Sequence, residues 1–284
     1  MPRPPRPTAC GPPSGDRVTV EVEYAHLDDV TLAYALAGDD DAPPLVYVSG
    51  SGSDLRRSPN ALESMFVERF RVLAYDHRGL GRSTTADSTP TMADFARDLL
   101  ALLDHVGWAR CRAVGVSFGG MVLQEAAVTE PDRFARAVLA CTSPGGAGGA
   151  SFPLHELVSL SPEQRRERWV DALDTRNSDP ARRAAVLSIV EAMDAARDQP
   201  DQTPGEIAQL EARRGHDCWD RLDAMAMPVL VAAGRFDGIA PPANQEALVR
   251  RLPDARIEWF EGGHAFFVEA PTAYPVMAEF LGDD

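Results

Sequence analysis

The sequence predicts an α/β fold built on a mostly parallel, doubly wound sheet with an antiparallel hairpin at its N-terminal side. Three observations predict it: short continuous apolar runs recur along the chain, helical patterns separate these runs, and two alternating segments precede them. Continuous apolar runs between helices are typical of parallel strands buried on both faces. The runs cover residues 45–48, 72–75, 113–116, 137–140, 229–233 and 257–260. The alternating segments, 18–24 and 31–37, predict the strands of the hairpin.

Helical periodicity predicts helices that connect the strands, over residues 61–69, 92–105, 118–129, 243–250 and 273–280. Between residues 143 and 220 no segment has a convincing strand pattern, whereas helical patterns recur over 162–173, 181–197 and 204–214. Such an insertion lies at the carboxyl edge of the sheet, where α/β sheets bind their ligands. We therefore predict a helical lid over residues 143–220 and a core formed by residues 16–142 and 221–284.

Two stretches of the chain have a biased composition and no predicted helix or strand. Residues 1–15 contain six prolines and cannot bury apolar surface, which predicts a disordered tail. The glycine-rich run 144–149 is either a flexible start of the lid or an ordinary loop.

The composition fits a globular protein that acts on a small molecule. A chain of 284 residues, 44% of them hydrophobic, can fill a sizeable core. The formal net charge of −15 argues against a nucleic-acid or anionic-membrane partner, because both need a basic surface. No apolar run approaches the roughly 20 residues that span a bilayer, and the N-terminus has no apolar segment of the signal-peptide type. We expect a cytoplasmic protein, whose oligomeric state the sequence does not indicate.

The basic and thiol side chains limit the cofactor chemistry. All 28 basic residues are arginine, which excludes a Schiff-base lysine and a P-loop lysine. The four cysteines, Cys10, Cys111, Cys141 and Cys218, lack the spacing of a zinc site or a disulfide framework. We expect free thiols and neither a metal nor an organic cofactor.

A G-x-S-x-G turn joins the third apolar run to the helix that follows it. Ser117 stands at the centre of this turn, between Gly115 and Gly119. A nucleophile elbow has this sequence pattern because its serine is held in a strained, sharp turn that only small neighbours permit. We predict that Ser117 is a nucleophile and that the amide of Phe118, at the helix N-terminus, stabilises an oxyanion.

An acid and a base follow the last two strands. Asp237 lies on the loop after the run 229–233, and His264 lies on the loop after the run 257–260. Taken singly, Asp237 is also explained as a turn residue. A histidine near the end of a strand is likewise unsurprising in a chain that has six histidines. The order Ser117, Asp237, His264 at one sheet edge is that of an α/β-hydrolase triad, which favours the catalytic reading.

The loop after the first apolar run, residues 49–55, offers the second oxyanion donor. Ser51 is the candidate for its backbone amide. Read as a phosphate-binding loop, the segment lacks the third glycine of G-x-G-x-x-G, because Leu55 occupies that position.

These motifs, together with the D-x-R-G-x-G-x-S loop at residues 76–83, resemble the α/β-hydrolase superfamily over residues 30–284 apart from the lid. Within it, the stretches 50–55, 91–100 and 115–121 are similar to 3-oxoadipate enol-lactonases and to the cofactor-free serine haloperoxidases, or perhydrolases. Residues 75–78 and 81–85 resemble methyl esterases of aromatic polyketide biosynthesis. Ser49-Gly50 stands where most relatives have His-Gly.

The resemblance implies a serine hydrolase that cleaves a carboxylic ester or lactone through an acyl-serine intermediate. The same triad also serves C–C bond hydrolysis, perhydrolysis and thioester cleavage, and the fold also occurs in ligand-binding proteins without turnover. The natural substrate and pathway are not indicated.

Apolar residues near the expected site suggest an apolar or aromatic substrate portion. The candidates for the substrate pocket are Gly50, Met121, Phe152, Leu154, Trp169, Ile239 and Phe266. Each of the lid residues also fits a role in packing the lid itself. His216, near the end of the lid, either touches substrate or is a surface or capping residue, and His77 is expected to be structural.

Overall fold

The computed structural model describes residues 21–57, 60–86, 88–195 and 202–283. The predicted tail at residues 1–15, Cys10, the first three residues of the predicted strand 18–24 and the last two of the predicted helix 181–197 lie outside the described residues.

Eight strands form one sheet in the order β1-β2-β4-β3-β5-β6-β7-β8. The first two strands form an antiparallel hairpin, β2 is also antiparallel to β4, and every later pair is parallel. The prediction of a mostly parallel sheet with an N-terminal antiparallel hairpin is confirmed. The strands are β1 (Glu23–His26), β2 (Thr31–Ala37), β3 (Pro44–Val48), β4 (Arg71–Tyr75), β5 (Cys111–Val116), β6 (Phe134–Ala140), β7 (Val229–Gly234) and β8 (Ala255–Phe260).

Helices connect the strands and also fill the segment between β6 and β7. They are α1 (Met92–His105), α2 (Phe118–Thr129), α3 (Pro162–Leu173), α4 (Pro180–Ala195), α5 (Pro204–Arg214), α6 (Pro242–Arg251), α7 (Phe266–Glu269) and α8 (Ala273–Gly282). No helix in the described ranges is both long enough and apolar enough to cross a membrane.

Two predicted elements differ from the structure. Of the described residues of the predicted strand 18–24, 21 and 22 lie outside β1, and the strand continues two residues beyond 24 to His26, which pairs with Thr31 across the turn closed by the Leu27–Val30 hydrogen bond. The predicted helix 61–69 is two 3₁₀ turns, Ala61–Glu63 and Met65–Glu68. Ser64 separates them, because its hydroxyl donates to the Ala61 carbonyl and accepts from the Phe66 amide in place of a continuous helical ladder.

Apolar layers pack on both faces of the sheet. Successive residues of β7 point to opposite layers, as Leu230 and Val231 do. Both faces are therefore buried, which is why the strands read as continuous apolar runs. Cys111 lies in β5, Cys141 follows β6 directly, and both are buried free thiols, as is Cys218.

The segment between β6 and β7 contains α3, α4, α5 and several 3₁₀ turns. Among its described residues, one isolated antiparallel bridge joins Gly145 to Asp217, so the start and end of the segment touch. Gly145 has a φ of +74°, and a Cβ there would collide with the His216 carbonyl. The glycine-rich run is therefore closely packed against the end of the insertion.

Candidate active site

Ser117 lies in a sharp turn between β5 and α2. Its φ of +53° and ψ of −112° are strained for a residue with a side chain. A Cβ on Gly115 would lie 2.7 Å from the Gly119 carbonyl oxygen, and a Cβ on Gly119 would lie 2.6 Å from the Ser49 carbonyl oxygen. Both contacts are closer than a side chain tolerates, so the close packing of this turn requires the two glycines of the motif.

Three side chains from the carboxyl ends of β5, β7 and β8 meet in one hydrogen-bonded chain. The Oγ of Ser117 is 2.9 Å from Nε2 of His264, and Nδ1 of His264 is 2.9 Å from Oδ2 of Asp237. All three residues are buried, with exposed fractions of 8% for Ser117, 8% for His264 and 1% for Asp237. In this arrangement Nδ1–H donates to the carboxylate, which leaves Nε2 free to accept the serine proton.

The carboxylate of Asp237 is held in place by its own loop. Its Oδ1 accepts hydrogen bonds from the amides of Ile239 and Ala240, each at 2.8 Å. The backbone amide of His264 in turn donates to the Leu173 carbonyl at the end of α3. The insertion between β6 and β7 therefore helps to position the histidine.

The loop after β3, residues 49–55, lies against the serine. A Cβ on Gly50 would be 3.7 Å from the Cβ of Ser117. The amides of Ser51 and Phe118 donate to no acceptor among the residues that the structure describes. Two backbone donors on the two segments predicted to supply them are therefore free to bind an oxyanion.

Three buried side chains hold this loop. His77 donates from Nε2 to the Ser49 carbonyl at 3.1 Å, and Asp76 accepts from the Leu55 amide at 2.6 Å. Gln209 of α5 accepts from the Gly52 amide at 2.9 Å. Burial lowers the pKa of His77 to about 4, against the opposing effect of its bond to Ser49, so the ring is neutral at pH 7.

A cavity of about 730 Å³ opens onto Ser117 and His264. Its lining includes polar residues, many of them in the loop after β3, and apolar residues from several segments. The apolar residues include Met65, Trp169, Leu173, Phe267 and Tyr274. A volume in this range fits a small organic ligand.

The residues predicted to form the substrate pocket divide between this cavity and other places. Gly50, Leu154 and Trp169 line it. Four others do not: Met121 and Phe152 line a separate cavity of about 110 Å³, Ile239 packs in a small cluster with Leu154, and Phe266 stacks on Phe260. Of the four, Phe152 belongs to the lid, and it packs against the cluster of Leu154 and Ile239, which is the alternative that the sequence left open for the lid residues.

His216 is buried rather than a surface residue, with an exposed fraction of 7%. Burial lowers its pKa to about 4, and the charge of Glu125 opposes this. The donor atoms of His216, Glu125 and Cys218 lie within 4.8 Å of one another. Both carboxylate oxygens of Glu125 accept hydrogen bonds from Arg221, at 2.7 and 2.8 Å, so a metal cation bound here would face a guanidinium. This charge arrangement disfavours a metal site.

Two residues of α5 at the site were not predicted. Gln209 holds the loop after β3, and Arg213 lines the cavity. Together with Glu206, whose carboxylate lies against Gly52, they share one face of the helix at positions i, i+3 and i+7. This spacing was the only signal in the sequence, and it does not show what the face covers.

Comparison with known proteins identifies the family of this chain. A family model described as alpha/beta hydrolase fold matches residues 43–271. The chain is 28% identical to 3-oxoadipate enol-lactonase 2 of Acinetobacter baylyi over 248 residues, which are 87% of this chain and 91% of that protein. It is 31% identical to RutD of Variovorax paradoxus, a candidate carbamate hydrolase, over 265 residues, which cover 88% of this chain and 96% of that protein.

The fold is also similar to solved structures. The enol-lactonase from Burkholderia xenovorans LB400 has a TM-score of 0.76 and 25% identity, with 92% of this chain and 100% of that chain covered. A family model that matches most of the chain, the strand order and the strand–serine–helix turn lead to one conclusion: the protein belongs to the α/β-hydrolase fold family.

Proposed function

We propose that this hydrolase cleaves a carboxylic ester or lactone by nucleophilic attack of Ser117. The observation that carries the proposal is the buried hydrogen-bonded chain from Ser117 through His264 to Asp237, which opens onto a cavity of about 730 Å³. A serine hydroxyl is a weak nucleophile unless a base removes its proton, and His264 stands in hydrogen-bond contact with it.

In the proposed mechanism, Nε2 of His264 accepts the serine proton while Oγ attacks the substrate carbonyl carbon. The negative charge on the carbonyl oxygen is stabilised by the amides of Phe118 and Ser51. His264 then donates its proton to the leaving alcohol oxygen, and an acyl-serine remains. Water, deprotonated by His264, attacks this ester and releases the acid and the free serine.

The segment 143–220 serves as a lid in this proposal. Leu154, Trp169, Leu173 and Arg213 all belong to it and line the cavity. The apolar residues in the lining support a substrate with an apolar or aromatic portion, as the sequence suggests.

The named relatives support two substrate classes. Similarity to enol-lactonases supports a lactone, which is the first candidate. Similarity to RutD at 31% identity supports a carbamate as the second candidate, since a serine attacks its carbonyl in the same way.

Turnover of p-nitrophenyl acetate tests the proposal. We expect a burst of p-nitrophenol equal to the enzyme concentration, followed by slower turnover. Ser117→Ala should abolish both, with a rate loss on the order of 10⁴ or more. Ser143→Ala, which changes a fully buried serine outside the hydrogen-bonded chain, is the control. A Ser117→Ala variant that retains the burst would contradict the proposal.

A further inference from the structure

The end of α3 packs between the two loops that carry the acid and the base of the proposed triad. These are the acid loop, residues 235–240, and the base loop, residues 261–265. The backbone amide of His264 donates to the carbonyl of Leu173, the last residue of α3, at 2.6 Å. The position of the base loop therefore depends on where α3 ends.

The next peptide group along the chain binds the acid loop. The amide of Thr175 donates to the carbonyl of Phe236 at 2.9 Å. The Leu173 carbonyl and the Thr175 amide belong to the two peptide groups that flank Asp174, so each of these groups binds one loop. A Cβ on Gly263 would lie 2.6 Å from the Cβ of Asp174, which shows how closely the base loop approaches.

Arg176 connects this segment to its surroundings through three contacts. Its Nε and Nη2 donate to the two carboxylate oxygens of Asp174, at 3.0 and 2.6 Å. Its Nη2 also donates to Glu269 of α7, the helix that follows the base loop, at 3.0 Å. The guanidinium carbon lies 4.3 Å from the centre of the Phe236 ring, and Phe236 directly precedes the catalytic acid. One side chain therefore contacts both catalytic regions.

The ion pair between Arg176 and Asp174 has a fixed geometry. Asp174 is buried, and burial alone would raise the pKa of its carboxyl. Hydrogen bonds from Arg176 outweigh this effect and lower the pKa, so the carboxylate is ionised at pH 7. Exposed ion pairs contribute little, but a buried carboxylate bound by two nitrogens of one guanidinium is held in a single orientation.

Arg182 of α4 joins the same ion pairs in a different way. Its Nη2 donates to Asp174 and to Glu269, each at 3.1 Å. A single nitrogen thus serves both carboxylates, and Arg182 has no contact with the Phe236 ring in the part of the chain that the structure describes. The link to the acid loop is therefore made by Arg176.

We propose that Arg176 is a positioning residue of the catalytic acid and base, because it holds residues 173–175 between the acid loop and the base loop. The inference rests on the proposed function. With both loops held, Asp237 stays at 2.9 Å from His264. Arg176 does not line the described cavity beside the triad, so its loss should slow the chemical step and leave substrate binding unchanged.

Steady-state kinetics with p-nitrophenyl acetate test the inference, with kcat expressed per active site that fluorophosphonate labels at completion. We expect Arg176→Gln to lower kcat by about 10- to 100-fold and to change KM less than 2-fold, as for a misplaced catalytic group. Arg176→Lys keeps the charge and should recover part of the loss. A merely structural role would reduce the number of labelled sites and leave kcat per site unchanged.

Two other arginines serve as matched controls. Arg182→Gln removes the same charge from the same ion pairs but leaves the contact with Phe236, and it should lower kcat by less than about 3-fold. Arg183→Gln breaks a lid ion pair with Asp171, at 2.7 Å, that contacts neither loop. It should leave kcat unchanged.

A wild-type kcat per labelled site in Arg176→Gln, or an equal loss in Arg182→Gln, would overturn the inference. Should Arg176→Gln fail to fold, Phe236→Leu replaces it, because Phe236 is only partly buried and leucine is also apolar. We expect that variant to lower kcat by about 3-fold or more, and an unchanged kcat overturns the inference. These results leave the proposed function intact, whereas a wild-type protein with neither turnover nor labelling contradicts the proposed function itself.

Discussion

Gln209 of α5 accepts a hydrogen bond from the amide of Gly52 at 2.9 Å, and this bond joins the insertion between β6 and β7 to the loop beside Ser117. Gln209 is fully buried, and its Nε2 has no hydrogen-bond partner among the described residues, so the side chain acts there as an acceptor. Ser51, whose amide is the candidate oxyanion donor, precedes Gly52 directly. The position of Gln209 therefore affects the geometry of that donor.

Loss of this acceptor should impair turnover more than folding. We expect Gln209→Leu to lower kcat for p-nitrophenyl acetate by about 10- to 100-fold with little change in KM, because a displaced oxyanion donor weakens transition-state binding. Steady-state kinetics and a thermal melt check this. Glu211→Leu, on the same helix but exposed, is the control. A Gln209→Leu variant with wild-type kcat would show that the loop is positioned without it.

The strained backbone at Ser117 predicts a stability difference between two inactive variants. Glycine adopts a φ of +53° without strain, whereas alanine keeps most of the strain. We expect Ser117→Gly to be more stable than Ser117→Ala by about 1 kcal/mol, after the greater flexibility of glycine in the unfolded chain is subtracted. Urea denaturation measures the difference. Equal or reversed stabilities would mean that this turn stores no strain.

Asp237→Asn should separate folding from activity. The amide oxygen can still accept from the amides of Ile239 and Ala240, so the loop keeps its bonds. The amide nitrogen, however, faces Nδ1 of His264 and favours the tautomer that cannot accept the serine proton. We expect turnover to fall by roughly 10⁴ with an unchanged circular dichroism spectrum. Unchanged turnover would move the catalytic acid elsewhere.

Two buried histidines should make the fold sensitive to acid. Burial lowers the pKa of His77 and of His216 from 6.5 to about 4. Below pH 6.5 the unfolded chain binds these protons while the folded protein does not, so the free energy of unfolding falls as the pH drops and stops falling near pH 4. Each histidine contributes up to about 1.4 kcal/mol per pH unit in this window.

Urea denaturation of His216→Gln between pH 7 and pH 4 tests this dependence. The variant should show a shallower loss of stability than the wild-type protein. His105→Gln is the control, because His105 is exposed. A wild-type slope in His216→Gln would mean that the buried ring does not cause the acid sensitivity.

The sequence predicted the features that depend on local pattern. Continuous apolar runs mark strands with two buried faces, and α1, α2, α3 and α5 begin and end where periodicity places them. The structure brings Ser117, Asp237 and His264 together, as the sequence led us to expect, because parallel topology places the ends of their strands at one edge, whatever their distance along the chain.

Features that depend on tertiary contact were not predictable in this way. Arg213 and Arg214 are adjacent and chemically identical, yet one is buried in the cavity wall and the other is exposed. Phe266 and Phe267 are likewise adjacent, and only Phe267 lines the cavity, because Phe266 stacks on Phe260. Which neighbour faces the site is decided by how α5 and α7 pack, and a single sequence does not encode that locally.

The central claim, that Ser117 is the nucleophile, is tested most directly by mapping a fluorophosphonate adduct. The wild-type protein is treated with the reagent at pH 7.5, digested, and its peptides are identified by tandem mass spectrometry. We predict one phosphonyl group per chain, located on the Oγ of Ser117, and no adduct on the Ser117→Ala variant. An adduct on another residue, or equal labelling of Ser117→Ala, would contradict the account.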